Sequence, residues 1–293
     1  MASTLQPGLT LHGEPFLLRN PQIGTSRSGA PYLRCLLGNA SGQVSGRCWS
    51  FDAARLGELN GADVVEVDGQ VVDWQGSPQV NIESIDVVEV NDEVLQTLLP
   101  VTKHDRNAMF HRVRERLLRL EDLAMRGLAE AFLDDEPLMQ KFREAPAGIA
   151  KHHAWIGGLL EHTEQVMRLT DAVLETYRET DISLDGELLV MAAFLHDLGK
   201  TSELSWRKGF SYTVDGNMVG HLVRGAMMLE EKAAEAELAG APPLTPERLI
   251  HLQHLILSHH ERPEHGAAKR PATPEAQVLC ILDRLDATLH LVD

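Results

Sequence analysis

Residues 188–195, Leu-Leu-Val-Met-Ala-Ala-Phe-Leu, are apolar at every position and run directly into His196 and Asp197. A helix that is hydrophobic on all sides belongs in an interior, wrapped by other elements. An imidazole and a carboxylate at its end are carried inward with it, where an ionised group is costly unless a counter-charge meets it. Imidazole nitrogen and carboxylate oxygen are both good ligands for divalent ions, so the pair points to a metal inside a helical assembly.

The chain from residue 91 onward supplies partners for that pair. Leu159, His162, Val166, Leu169 and Val173 alternate spacings of three and four, which places His162 on the face a helix buries. Taken alone, such a histidine is more often a satisfied core residue than a ligand. Gly220-His221, His259-His260 and Asp283 fall on three further predicted helices, spanning residues 218–238, 246–260 and 274–289. Pro246 and Pro274 each follow a threonine, an N-cap with proline at the first helical position. Ligands on several helices, each projecting inward, describe a site in the core of a bundle. Residues 107–133 also read as helix, and residues 206–217 as a hairpin. Arg112, Arg114, Arg116 and Arg119 form a basic group suited to a solvated face or to a phosphate backbone.

The first ninety residues have a different grammar. Short β-branched or aromatic runs at residues 15–19, 32–37, 44–49, 64–67, 70–74 and 79–82 are separated by Gly-, Ser- and Asn-rich turns, Asp68-Gly69 among them. Five or six strands in so short a span suit a small closed barrel. Phe16, Tyr32, Trp49 and Trp74 either fill it or stack on bases. Tyr32 and Arg34, at alternating positions, are the better candidates for exposure.

Charge restricts the partners. The net charge of -16 argues against a generally basic nucleic-acid surface. Residues 14–50 nevertheless hold four arginines (Arg19, Arg27, Arg34, Arg47) and one acid, whereas residues 63–93 hold nine acids and no Lys or Arg. Cys35, Cys48 and Cys280 form neither a disulfide framework nor a four-cysteine zinc site. The absence of a long apolar run or a leader-like start gives the expectation of a soluble cytoplasmic protein without a membrane partner.

The order His162, His196-Asp197, Asp283 resembles the HD-domain metal-dependent phosphohydrolases, and His221, His259 and His260 resemble the additional ligands of two-metal members. Residues 152–163 (His-His-Ala-Trp-Ile-Gly-Gly-Leu-Leu-Glu-His-Thr), 194–201 (Phe-Leu-His-Asp-Leu-Gly-Lys-Thr), 219–222 (Val-Gly-His-Leu) and 273–279 (Thr-Pro-Glu-Ala-Gln-Val-Leu) look like the YhaM family of 3'-to-5' exoribonucleases. The resemblance implies an N-terminal all-β OB-fold barrel in residues 1–92, connecting helices in residues 93–145 and a C-terminal all-α HD domain in residues 146–293. It implies one or two divalent ions, manganese by preference, with magnesium, iron, cobalt or nickel as alternatives. His162, His196, Asp197 and Asp283 would hold one ion, and His221, His259 and His260 a second, with Asp197 bridging. Asp197 and Lys200 would be catalytic, Lys200 offsetting charge that grows on the phosphate. Its plainer role is that of a solvated lysine at a helix C-terminus.

Substrate contacts are expected from His152 and His153 at the lip of the site and from Arg19, Tyr32, Arg34 and Trp49 on the barrel. The implied substrate is single-stranded RNA, with single-stranded DNA as a second candidate; a homo-oligomer stays open. Two alternatives remain: a phosphodiesterase of small or cyclic nucleotides, and a nucleic-acid-binding module that no longer catalyses. His12, His104, His111, His251, His254, His265 and His290 are expected to be structural or on the surface.

Overall fold

The computed structural model describes residues 5–26, 28–60, 62, 64–89, 91–149, 153–206 and 209–290. These divide into two units, one running through Val101 and including Gly209, the other comprising Thr102–Trp206 and the described residues from Phe210.

The first unit contains β1 (Thr10–Thr25), β2 (Pro31–Asn39), β3 (Gly42–Cys48), α1 (Leu56–Asn60), β4 (Val64–Trp74), β5 (Ser77–Val87) and α2 (Asp92–Thr97). Its strands close into a barrel in the order β1-β2-β3-β5-β4, with β3 and β5 parallel and the other pairs antiparallel. This is the five-stranded arrangement of an OB-fold. β1 serves two neighbours because bulges at Leu11/Glu14 and Arg19/Gln22 bend it, so that its first half pairs with β4 and its second with β2. Alternate residues point inward: Leu33 and Leu37, Val65 and Val67, Val80 and Ile82 are all buried. Phe16, fully buried, belongs to this core and leaves the list of stacking candidates.

The two strands expected at residues 64–67 and 70–74 are one. Asp68-Gly69 is a bulge within β4 and not a turn, held by Gly13 N–H and Ser84 Oγ–H donating to the Asp68 carboxylate at 2.8 and 2.6 Å.

The second unit contains α3 (Arg106–Leu118), α4 (Leu123–Leu133), α5 (Glu136–Glu144), α6 (Gly158–Tyr177), α7 (Gly186–Leu195), α8 (Lys200–Glu203), β6 (Leu204–Ser205), β7 (Ser211–Tyr212), α9 (Val214–Met218), α10 (His221–Leu238), α11 (Pro246–Ser258) and α12 (Pro274–Leu289). The single helix expected over residues 107–133 is broken. Asp122 accepts from Ala124 N–H and Met125 N–H, starting α4 afresh as an N-cap. The expected hairpin shrinks to a two-residue ladder, Leu204↔Tyr212 and Ser205↔Ser211, because Thr213 caps α9 and draws Asp215 and Gly216 into a helix. Thr245 and Thr273 cap α11 and α12 ahead of their prolines. Arg112 and Arg116 pin α3 to α6 through Glu164 and Asp171 at 2.9 and 2.7 Å, so the basic group is partly consumed in ion pairs.

α7 is the centre of this unit. Leu188, Leu189, Met191, Phe194 and Leu195 are buried, packed within one cluster that draws on α3, α4, α5, α6, α10, α11 and α12. Each contributes about 2 kcal/mol relative to exposure, and Phe194 meets Phe132 and Phe142 edge-to-face at 5.8 and 5.6 Å. Among the described residues no helix is long and apolar enough to cross a membrane. Phe194→Ala should lower unfolding stability by about 3–5 kcal/mol, as measured by urea denaturation followed by helical circular dichroism. A loss below about 1 kcal/mol would contradict the central place given to α7.

Candidate metal centre

Five helices gather seven side chains, six of them around the Asp197 carboxylate. His196 and Asp197 continue directly from α7, His162 lies in the second turn of α6, and Asp283 projects from α12. His221 opens α10, while His259 and His260 follow the last residue of α11. His162 Nε2 lies 3.1 Å from His196 Nε2, 3.2 Å from Asp283 Oδ1 and 3.5 Å from Asp197 Oδ2. The other oxygen, Asp197 Oδ1, lies 3.5 Å from both His221 Nε2 and His259 Nε2, and His221 Nε2 is 2.9 Å from His260 Nε2.

Two ligand sets therefore share Asp197: His162, His196, Asp197 and Asp283 form one, and Asp197, His221, His259 and His260 the other, with the donor atoms of each set within 4.8 Å of one another. Ligands about 2.1 Å from an ion in a tetrahedron sit about 3.4 Å apart, which is the spacing found here. Asp197 Oδ1 and His259 Nε2 are buried and lack a hydrogen-bond partner among the described residues. Leaving such atoms unpaired is costly, and a cation between them removes the cost. The residues present fit divalent metal in both sets.

A family model for the HD domain matches residues 159–288, which contain every one of these ligands. The 3'-5' exoribonuclease YhaM of Bacillus pumilus is 31% identical over 284 residues, covering 94% of this chain and 85% of that protein. The YhaM proteins of Shouchella clausii and Bacillus subtilis are each 30% identical, covering 94% and 98% of this chain and 83% and 90% of their own lengths. The chain belongs to the YhaM family.

In this YhaM-family site the backbone allows the two ligand sets to meet. A Cβ on Gly199 would lie 2.1 Å from the carbonyl oxygen of His221, so only glycine lets the end of α7 approach the start of α10 so closely. Lys200 is not the solvated lysine of the plainer reading. It is buried, and its Nζ donates to Asp197 Oδ2 at 2.6 Å.

His153 requires a correction. It is fully buried and stands behind His162 instead of at a lip, with Nε2 2.8 Å from Asp286 Oδ2. The same oxygen lies 2.6 Å from His162 Nδ1. His152 lies outside the described residues. Sequence reasoning missed Asp286 and Glu203, the carboxylates behind His162 and His221. Asp286 had a signal, since it follows Asp283 at the helical spacing of three. His290 is another unexpected neighbour, its ring 4.0 Å from that of His153.

The barrel of this YhaM-family chain carries a separate aromatic surface. The Tyr32 and Trp49 rings are 4.7 Å apart, and Trp49 and Trp74 are 46% and 47% exposed. Arg47 Cζ lies 5.9, 5.7 and 5.4 Å from the rings of Tyr32, Trp49 and Trp74, joining three side chains from different strands and turns. Arg34 is exposed and donates to Gln22, while Arg19 is half-buried on β1. Trp74 was a stacking candidate from the sequence, whereas Arg47 was counted only among the arginines of residues 14–50.

Electrostatics in the metal centre separate the imidazoles. Burial opposes a charge on His162, but hydrogen bonds to Asp283 and Asp286 outweigh it and raise its pKa to about 9. His196 is pushed down to about 4 and His260 to about 3, chiefly by burial. Burial also opposes charge on Asp197, yet Lys200 and His196 hold its carboxyl well below the usual range. Without an ion, His162 thus carries a proton that metal must displace, while His196 and His260 are already neutral ligands. Below about pH 9, loss of one proton raises the apparent Mn²⁺ affinity by about tenfold per pH unit. Calorimetric titrations at pH 6, 7 and 8 in buffers of different ionisation enthalpy check this; a pH-independent affinity contradicts it.

Proposed function

We propose that this chain is a metal-dependent hydrolase that removes nucleotides from the 3' end of single-stranded RNA and releases 5'-monophosphates. One observation carries the reading: Asp197 is shared by two complete ligand sets in a chain that aligns over nearly its full length with 3'-5' exoribonucleases. Divalent ions bound there supply an acidified water and compensate charge on the phosphoryl oxygens. Asp197 offers one oxygen to each set, and Lys200, already in the centre, adds a positive charge toward the phosphate. No side-chain nucleophile is required.

The division of labour follows. Residues 1–92 bind the strand and residues 146–293 hydrolyse, with α3, α4 and α5 completing the core of the hydrolytic unit instead of serving as a connector. Tyr32, Trp49 and Trp74 offer faces on which bases stack in a sequence-tolerant way, with Arg47, Arg34 and Arg19 as the cationic component. Single-stranded DNA is a second candidate substrate. Five histidines and two aspartates make a nitrogen-rich set, which favours Mn²⁺ and its transition-metal neighbours over Mg²⁺. A cytoplasmic location is consistent with three free, buried cysteines.

Incubation of the full chain with 5'-labelled RNA, in parallel with cyclic dinucleotides, tests the reaction in Mn²⁺, Mg²⁺ or chelator. Stepwise shortening from the 3' end is expected with Mn²⁺, abolished by chelator and reduced roughly 10³-fold by Asp197→Ala. Turnover of the cyclic compounds alone, or RNA binding without cleavage under every metal, overturns the proposal. Trp49→Ala should weaken single-strand affinity by about 1–3 kcal/mol, read by fluorescence anisotropy and as a raised KM with little change in kcat. An unchanged affinity removes Trp49 from the binding surface.

A further inference from the structure

Both ligand sets are built on imidazoles held from behind through Nδ1, but the holding groups differ. His196 Nδ1 donates to the Ala193 carbonyl and His259 Nδ1 to the Ile256 carbonyl, each at 2.8 Å. A carbonyl can only accept, so these two rings carry the proton on Nδ1 and turn the Nε2 lone pair toward the centre. His162 and His221 are held by carboxylates. His162 Nδ1 is 2.6 Å from Asp286 Oδ2, and His221 Nδ1 is 2.8 Å from Glu203 Oε2. Each set therefore contains one histidine anchored by a neutral carbonyl and one anchored by a buried carboxylate.

The two carboxylates are themselves fixed. Asp286 is 4% exposed and receives a second contact on the same oxygen from His153 Nε2 at 2.8 Å. Glu203 is 8% exposed, and its other oxygen accepts from the backbone N–H of His221 at 3.3 Å, so it grips one residue at two points. Neither belongs to the two sets around Asp197, and each touches a histidine of only one of them. A carboxylate behind a ligating imidazole fixes the ring's tautomer and orientation and makes the nitrogen a stronger donor.

We infer that Asp286 and Glu203 are positioning residues that set the affinities of the two ions separately, Asp286 for the ion at His162, His196, Asp197 and Asp283, and Glu203 for the ion at Asp197, His221, His259 and His260. His153 supports the first of these by sharing the Asp286 oxygen. The inference rests on the two-ion reading given above, and the experiment separates the two.

Chelator-treated full-length protein is titrated with Mn²⁺ by calorimetry, and the pair is followed by the electron paramagnetic resonance signature of two coupled ions. Wild type should take up two ions. Asp286→Asn and Glu203→Gln, which preserve shape while removing charge, should each weaken one ion by 10–100-fold and leave the other near its wild-type affinity. Asp283→Ala and His260→Ala identify which ion is lost: adding Asp286→Asn to Asp283→Ala should leave the remaining ion unaffected, as should adding Glu203→Gln to His260→Ala. Thermal unfolding of the chelated variants should match that of wild type.

A wild-type chain that takes up no Mn²⁺ overturns the metal reading itself. A wild type with two ions and variants indistinguishable from it overturns only the positioning role. Loss of both ions in each variant, together with a lowered melting temperature under chelator, assigns the carboxylates to fold stability and likewise overturns the inference.

Discussion

Everything in the helical unit is arranged around one buried carboxylate with two faces. Asp197 is 1% exposed, and a charge so placed needs several kcal/mol of compensation. One oxygen faces His162 and His196 and receives Lys200, while the other faces His221 and His259 without a hydrogen bond. Within the centre, Lys200 pairs with Asp197, a protonated His162 pairs with Asp283 and Asp286, and several imidazole lone pairs converge. This arrangement is stable only because the surrounding helices are locked by α7 and its apolar neighbours. Rigidity comes from the core and affinity for cations from the unsatisfied interior it encloses.

The sequence brought the residues of the cluster to notice because they obey the rules of the elements that carry them. His162 sits on an apolar stripe, His196-Asp197 at the end of an all-apolar helix, and Asp283 inside a helix announced by Thr273-Pro274. Residues whose role depends on a neighbour from another element were harder to find. His153 was expected with His152 at the lip of the site, and nothing local says that it is buried behind His162. Glu203 is separated from His221 by a two-strand ladder and a short helix that the hydrophobic pattern does not announce. At Asp68-Gly69, a turn and a bulge ask for the same residues. The contact with Gly13 that decides between them lies fifty-five positions away.

On the barrel, alternation made Tyr32 legible as an outward residue and Phe16 ambiguous. The structure resolves both by register. Arg47 pairs with Arg34 across β2 and β3, and with Asn81 across β3 and β5, bringing it among three aromatic rings that sequence distance keeps apart. A cation beside three aromatic faces is a composite property of several strands. Single-residue reasoning could nominate its members without seeing that they form one surface.

The net charge of -16 then becomes a constraint that the architecture answers locally. A polyanionic strand gains little from a uniformly acidic chain, and long-range attraction is screened within about 8 Å at physiological salt. Attraction must therefore come from contact. The barrel offers stacking, which is largely insensitive to net charge, together with a few arginines on the strands that carry the rings. In the helical unit, seven side chains suited to ligation surround space suited to cations and contribute only two formal negative charges, so two divalent ions held there would leave an excess of positive charge. An acidic protein can in this way act on RNA without a basic surface, and the acidic remainder disfavours strands that reach neither the rings nor the ions.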